Sequence, residues 1–318
     1  MMTSAGSGYS RWRDIAVTRW REDITRDAAG TYIFLRDVET AEVWSAGYQP
    51  TATEPESYEV DFSEDRAEII RKDGAMETTL EVVVSPEDDA EIRRVTLKNT
   101  GDVARLMDVT SYAEMVLAPQ AADAAHPAFS NLFIHTEFVP EVNGLLCTRR
   151  PRFAGDLSPW AGHVLVVEGE TLGPVQYESN RARFLGRGRG IHTPVSVIDG
   201  KPLSNYAGAV IDPIVSLRCR VLVPPGETVR MTFATLISSS REETMGLADK
   251  YHDPAMFERT LTLAWTHAHI QQHHLGMEAS EAHLFQELAS RILYYHKGLR
   301  PRPDVLKRNN PGPSALWT

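Results

Sequence analysis

Cysteine is scarce: Cys147 and Cys219 are the only two among 318 residues, and they form no CxxC pair. A disulfide framework is therefore excluded, and both thiols, set in apolar strand-like stretches, read as reduced structural groups. Long apolar runs are missing too. No stretch approaches the roughly 20 apolar residues of a membrane span, and the start, MMTSAGSG, has neither a basic nor an apolar leader region. The cytoplasm is the expected location. Positive charge is short, with 33 Lys and Arg against 43 Asp and Glu and a net charge of −10. Such a field repels phosphate backbones, so nucleic acid is not an expected partner. The arginine-glycine segment at 181–190, RARFLGRGRG, is a single short copy and reads as a solvated loop. Neither GxGxxG nor GxxxxGK[ST] occurs, so no nucleotide cofactor is implied. His269 and His273 have the spacing of a zinc-binding helix, but Ile270, Gln271 and Gln272 between them omit the glutamate of HExxH. No metal and no other cofactor is expected.

What the chain does have is length and β-pattern. A chain near 300 residues buries roughly three quarters of its unfolded surface, which is enough for a core without staples. From about 31 to 237, short β-rich runs alternate with turn chemistry, the pattern of sandwiches and barrels. The runs 31–36 and 42–45 flank the turn DVET, and 80–85 and 92–97 flank PEDD, each predicting a hairpin. The run 92–98 meets Thr100-Gly-Asp and re-enters at 106–116, and tight turns between consecutive strands imply antiparallel pairing. Two further strands, 214–223 and 228–237, follow the same pattern around PPGE.

The period then changes. Ser240 and Glu243 make a capping box, and Asp253-Pro254 supplies an N-cap with proline at N1. Phe257, Leu261, Ala264, Ala268 and Leu275 follow helical spacing up to Gly276. A third helix near Ser280 is expected to bury Ala282, Phe285, Leu288, Ala289, Ile292 and Leu293. The expected division is a sandwich over 1–238, linker helices over 239–299 and a loop tail over 300–318. Both ends look cut: Met1-Met-Thr reads as a strand stub, and the tail ends on Ala315-Leu-Trp with nothing to pack against.

The densest chemistry lies near the start. Tyr9, Arg11 and Trp12, then Arg19 and Trp20, set planar aromatics beside guanidinium groups, with Asp14, Glu22 and Asp23 close by. Such surfaces bind sugars, because ring C–H groups pack on aromatic faces and hydroxyls take several hydrogen bonds at once. Two readings stand side by side: a sugar contact, or core tryptophans with surface ion pairs. Arg36, Trp44 and Tyr48 join the candidate contacts. No catalytic carboxylate pair emerges, since Glu87, Asp88 and Asp89 sit in a tight turn and read as a solvated acidic loop.

The segments 6–12 (GSGYSRW), 16–23 (AVTRWRED), 30–37 (GTYIFLRD) and 42–50 (EVWSAGYQP), in this order, closely resemble the cyclic β-1,2-glucan synthases. Further matching segments are 80–91, 111–114, 121–130, 248–251 and 257–259, so the resemblance covers nearly the whole chain. It implies the sandwich and linker-helix part of the middle, transglycosylating region of those proteins, related to the sandwich of cellobiose phosphorylases. The implied fold is mainly β: a large antiparallel β-sandwich, a galactose mutarotase-like supersandwich, followed by linker α-helices. In that family the sandwich precedes an (α/α)6 barrel bearing the catalytic carboxylates, so no catalytic residue carries over to this chain. Relatives are expected to hold a tryptophan near Ala29, where this chain departs.

The function implied is a carbohydrate-binding and scaffolding module, inactive alone, with β-glucan or another oligosaccharide and the barrel of a longer protein as partners. One alternative is an autonomous mutarotase-like enzyme recruiting His126, His135, His163 and Glu114. Another is an interaction module that self-associates through exposed helices.

Overall fold

The computed structural model describes residues 1–21, 28–151, 153, 155, 158–293 and 301–308. Glu22, Asp23, Asp27 and the Ala315–Trp317 ending lie outside the described residues, as do the side chain of Leu293 and most of the 300–318 tail. The contacts fall into two compact units, Met1–Gln271 and Gln272–Thr318.

The strands run in chain order as β1 (Arg11–Trp12), β2 (Ile15–Thr18), β3 (Tyr32–Asp37), β4 (Val43–Ser45), β5 (Ser57–Phe62), β6 (Arg66–Asp73), β7 (Met76–Val84) and β8 (Ala90–Asn99). They continue as β9 (Arg105–Ala118), β10 (Ile134–Val139), β11 (Gly144–Arg149), β12 (Trp160–Glu168), β13 (Gln176–Asn180), β14 (Pro213–Val223) and β15 (Thr228–Ser238). The helices are α1 (Gln120–Ala125), α2 (Pro127–Asn131), α3 (Arg181–Leu185), α4 (Val195–Ile198), α5 (Arg241–Tyr251), α6 (Ala255–Leu275), α7 (Ala279–Leu293) and α8 (Pro303–Leu306).

The protein is mostly β. One sheet of eight strands has the order β10-β11-β12-β15-β8-β7-β6-β5. The other, of seven, follows β1-β2-β9-β14-β13, with β3 also on β9 and β4 on β3. Every ladder between the described strands is antiparallel. Alternation sets the faces, because successive side chains of a strand point to opposite sides. Edge strand β5 shows this at its simplest: Ser57, Glu59 and Asp61 are exposed while Tyr58, Val60 and Phe62 pack on the core.

The main core fills the space between the sheets, with Leu35, Ile69, Val95, Met107, Val109, Leu165, Leu217 and Phe233 nearly inaccessible. A second cluster joins the eight-stranded sheet to the helices through Leu146, Ala234, Ala248, Tyr251 and Phe257. A third lies on the outer face of the seven-stranded sheet, where Tyr32, Phe34 and Tyr112 are covered by Phe184, Leu185, Ile191, Val197 and Leu203.

Two turns behave differently from hairpins. β8 and β9 are close in sequence yet lie in opposite sheets, and so do β14 and β15. Asn99 turns the first corner: its amide donates to Val103 O at 2.8 Å and Val223 O at 3.0 Å and accepts from Gly101 N at 3.0 Å. These side-chain bonds satisfy backbone groups that a ladder would otherwise have occupied.

The helices start where the capping signals put them, although the Glu243 side chain bonds a neighbouring hydroxyl. Ser240 Oγ accepts from Glu243 N at 3.2 Å, while the Glu243 carboxylate accepts from the Ser239 hydroxyl at 2.8 Å. Asp253 Oδ1 accepts from Ala255 N at 2.9 Å to open α6, and Gly276, at φ +63°, ends it. The burial expected along α7 is corrected: Phe285, Leu288 and Ile292 are at least half exposed, because the described residues of its own unit leave that face uncovered. The tail also holds one short helix, α8, where loop was expected, with Pro303 pre-set for a first helical turn. The acidic turn at 87–89 is anchored rather than merely solvated, since Asp88 Oδ2 accepts from Lys250 Nζ at 2.6 Å and Tyr251 Oη at 2.8 Å.

Candidate functional site

Strand β9 positions the site. Met107, Val109, Ala113 and Met115 point into the sandwich, so Tyr112 and Glu114, one register step away, stand on the outer face. They help line a cavity of about 340 Å³, together with Arg19, Arg21, Arg181 and the stretch Ala28, Ala29 and Gly30. Gly30 is required there, because a Cβ would come within 2.7 Å of the Tyr32 ring.

Glu114 is the centre of a charge network. Its Oε1 accepts from Tyr112 Oη at 2.8 Å and from Arg181 Nε at 2.8 Å, and its Oε2 accepts from Arg19 Nη1. Arg19 follows β2, and its backbone N–H donates to Glu114 O at 2.9 Å. The Arg19 guanidinium also grips Asp123 of α1 through Nε and Nη2, both at 3.2 Å, and donates to Asn131 Oδ1 of α2 at 2.6 Å. Asn131 Nδ2 donates to Asp212 Oδ1 at 2.9 Å, and Arg181 Nη1 donates to Asp212 Oδ2 at 3.3 Å, which closes the ring. Arg21 adds an ion pair to Asp123 at 2.8 Å. Three guanidinium groups thus meet three carboxylates, and the formal charges cancel.

Burial shapes how these groups titrate. It works against the Glu114 carboxylate, but Arg181 and Arg19 outweigh it and hold Glu114 below the ordinary carboxylate range. Tyr112 is pushed well above the usual phenol range by burial, reinforced by the charge of Glu114. Asp212 is raised, again chiefly by burial, with Arg181 opposing.

Of the eight residues singled out in the sequence, Arg19 lines this cavity and the others lie elsewhere. Trp12, Trp20 and Trp44 are buried, at 9%, 5% and 4% exposure, and their ring faces are taken by packing. Tyr9 stacks on Trp20 with centroids 5.5 Å apart. Arg11 is exposed and donates to Arg13 O at 2.6 Å and Asp14 at 3.3 Å. Arg36 stands on β3 beside Gly200, and Tyr48 lies in the loop after β4 with its hydroxyl 3.4 Å from Glu54.

The segment read as a solvated arginine-glycine loop is corrected. Residues 181–185 form α3, capped by Asn180, whose side chain accepts from Ala182 N and Arg183 N. Phe184 and Leu185 are buried, which delivers Arg181 to the cavity. The signals were an N-cap residue, Asn180, and an apolar pair, Phe184 and Leu185, directly before Gly186; Asp123, Asn131 and Asp212 carry no comparable local signal. The histidines do not gather at Glu114: His163 is in the sandwich interior, and His126 and His135 are exposed.

Two antiparallel sheets packed face to face, with a cavity on the outer side of one, define a large β-sandwich. Residues 1–254 match the family described as Glycosyl hydrolase 94, supersandwich domain, and the chain belongs to that family. It is 38% identical over 317 residues to the cyclic beta-(1,2)-glucan synthase NdvB of Rhizobium meliloti (strain 1021), covering 100% of this chain and 11% of that protein. It is 28% identical to the N,N'-diacetylchitobiose phosphorylase of Vibrio furnissii, over 74% of this chain and 28% of the phosphorylase. The chain thus spans a minor part of the length of these relatives.

Proposed function

We propose that the chain is a carbohydrate-contacting and scaffolding sandwich module of a larger glucan-processing protein and is not catalytic by itself. The observation that carries this reading is the saturation of Glu114. Glycosidic-bond chemistry needs a carboxylate free to attack or to take a proton, paired with a second carboxyl group that gives one. Glu114 is held ionised with both oxygens occupied by Arg19, Arg181 and Tyr112. Its role is to fix donors around a cavity whose size suits a small polar ligand. The lining sets Arg19, Arg21 and Arg181 beside Glu114, and guanidinium N–H groups are donors that the oxygens of a polyhydroxylated ligand can accept from.

Similarity to a cyclic glucan synthase makes β-1,2-glucan the first ligand to test. On this reading the sandwich over 1–238 and the linker helices over 239–299 precede a catalytic barrel in the parent protein, on the cytoplasmic side of the membrane. The described residues include no helix long and apolar enough to cross a membrane.

Calorimetric titration with linear β-1,2-glucooligosaccharides, with cello-oligosaccharides as control and a product assay on the same mixtures, tests the proposal. Binding without new products is expected. New cyclic or rearranged products would overturn the non-catalytic assignment, and no binding would overturn the glucan contact.

A further inference from the structure

The outer face of the seven-stranded sheet carries a second group of arginines, further along β9 from Glu114. Arg36 of β3, Asp108 of β9 and Arg220 of β14 stand opposite one another in register, and Thr110 and Arg218 make the next row on the same face. Three guanidinium groups therefore share one carboxylate. Arg220 takes it, with Nε and Nη2 donating to the two Asp108 oxygens at 2.7 and 2.9 Å. Arg218, only 3% exposed, has neutral partners: it donates to Thr110 Oγ1 at 2.7 Å, Lys201 O at 2.8 Å and Ser196 O at 2.7 Å. Arg36 Nε is buried and makes no hydrogen bond among the described residues. The nearest carboxylates in sequence are engaged elsewhere, Asp37 with Arg105 at 3.1 Å and Asp199 with Arg189 at 2.6 Å.

The loop after α4 holds this arrangement in place. A Cβ at Gly200, where φ is +62°, would lie 2.7 Å from Arg36 Cζ and 3.0 Å from each Nη, so Gly200 rests directly against the guanidinium. Ser196 O and Lys201 O, both bound by Arg218, tie the same loop to the sheet. Arg36 is partly buried, and of its nitrogens Nε is the one closed off, so Nη1 and Nη2 remain open donors. Arg220 is 38% exposed and keeps Nη1 outside its pair with Asp108. Burial brings the pKa of Arg218 down to about 10, with Asp108 opposing and the charges of Arg220 and Arg36 adding to the fall.

Guanidinium N–H groups in a planar fork match the oxygens of a carboxylate or a phosphate. Two of the three positive charges here have no carboxylate, so a doubly charged anion balances the group and a monocarboxylate leaves half of the excess. A phosphate monoester carries about −1.5 to −2 at neutral pH. We propose that Arg36 and Arg220, backed by Arg218, form a binding site for a phosphate-class dianion, either free phosphate or the phosphate group of a monoester. The site is separate from the Glu114 cavity and independent of the glucan reading. Unfolding disperses these arginines, so the ligand stabilises the folded chain.

The test is calorimetry on the full chain in phosphate-free buffer at constant ionic strength, which holds screening fixed. Inorganic phosphate is expected to bind with a Kd of about 1 mM or tighter and to raise the melting temperature, with acetate at least about tenfold weaker. Methyl phosphate distinguishes the two sources: affinity equal to that of phosphate assigns a site open to esters, and its loss restricts the site to the free ion. Arg36→Met is expected to weaken phosphate binding at least about tenfold, while the melting temperature without phosphate stays at or above that of the wild type, because a buried donor without a partner is removed. Arg36→Lys, which keeps the charge and loses the fork, is expected to fall between the two and reads out the site even if Arg36→Met folds poorly. Arg230→Met, at an exposed arginine on β15 of the other sheet, is expected to retain full affinity. No saturation by about 10 mM phosphate would overturn the site. So would equal binding of acetate, full affinity in Arg36→Met, or an equal loss in Arg230→Met.

Discussion

His163 Nε2 lies 2.9 Å from Ser111 Oγ, a hydrogen bond that joins β12 of one sheet to β9 of the other across the sandwich interior. The other ring nitrogen is 3.1 Å from Thr235 Oγ1, and the ring stacks on Phe233. Burial, helped by the charge of Arg93, lowers the pKa of His163 from 6.5 to about 4.

A pH dependence follows, and its sign is fixed. Between pH 6.5 and about 4 the unfolded chain binds this proton and the folded chain does not, so stability falls as pH drops through that window. The loss approaches about 3 kcal/mol below pH 4. Urea unfolding at a series of pH values is expected to show this slope in the wild type and a shallower one in His163→Gln; parallel slopes would refute it.

Glu114→Gln removes the charge that balances Arg19 and Arg181. A loss of about 3 kcal/mol is expected at neutral pH, because Arg19, largely buried, and Arg181, a third exposed, lose a common partner. Glu114 has a depressed folded pKa, so its contribution is present above the ordinary carboxylate range and disappears as pH falls through the depressed value. The gap between wild type and variant should therefore narrow in acid, as measured by denaturant midpoints.

Arg71 is fully buried and donates to Ser45 O at 2.9 Å, Gly47 O at 2.8 Å, Thr53 O at 3.2 Å and both oxygens of Asp73. Arg71→Met strands three carbonyls and a carboxylate, at an expected cost of about 3 to 5 kcal/mol. Thermal unfolding within about a degree of wild type would show that water replaces the guanidinium without loss.

On α7, Leu284, Phe285, Leu288 and Ile292 are all at least half exposed. An uncovered apolar stripe drives association, so the average mass by light scattering is expected to rise with concentration. Phe285→Glu with Leu288→Glu should restore the monomer; a concentration-independent mass in the unmodified chain would count against this.

The strands were readable because alternation and turn chemistry are local. The hairpins β3–β4 and β7–β8 form as their sequences indicate. The change of sheet between β8 and β9 was not readable, since it depends on Asn99 reaching Val223, 124 residues away. The aromatic-arginine segment drew notice through composition, but composition does not say which face a tryptophan uses, and Trp12 and Trp20 are buried. Arg19 was legible as one of a cluster, yet its partners Glu114, Asp123, Asn131 and Asp212 come from four separate stretches that only the folded chain unites.

The last two strands form one ribbon split between the sheets. β14 inserts between β9 and β13, and β15 inserts between β8 and β12. The meander β5 to β8 can assemble on the ribosome as it emerges, since each strand pairs with its neighbour in sequence. The seven-stranded sheet cannot zip shut before β14 ends at Val223, nor the eight-stranded one before β15 ends at Ser238, so the slow, entropically costly contacts of both halves are deferred to the last strands made. A nascent chain stalled ahead of that ribbon would hold two open sheet edges at once and be a natural client for chaperones.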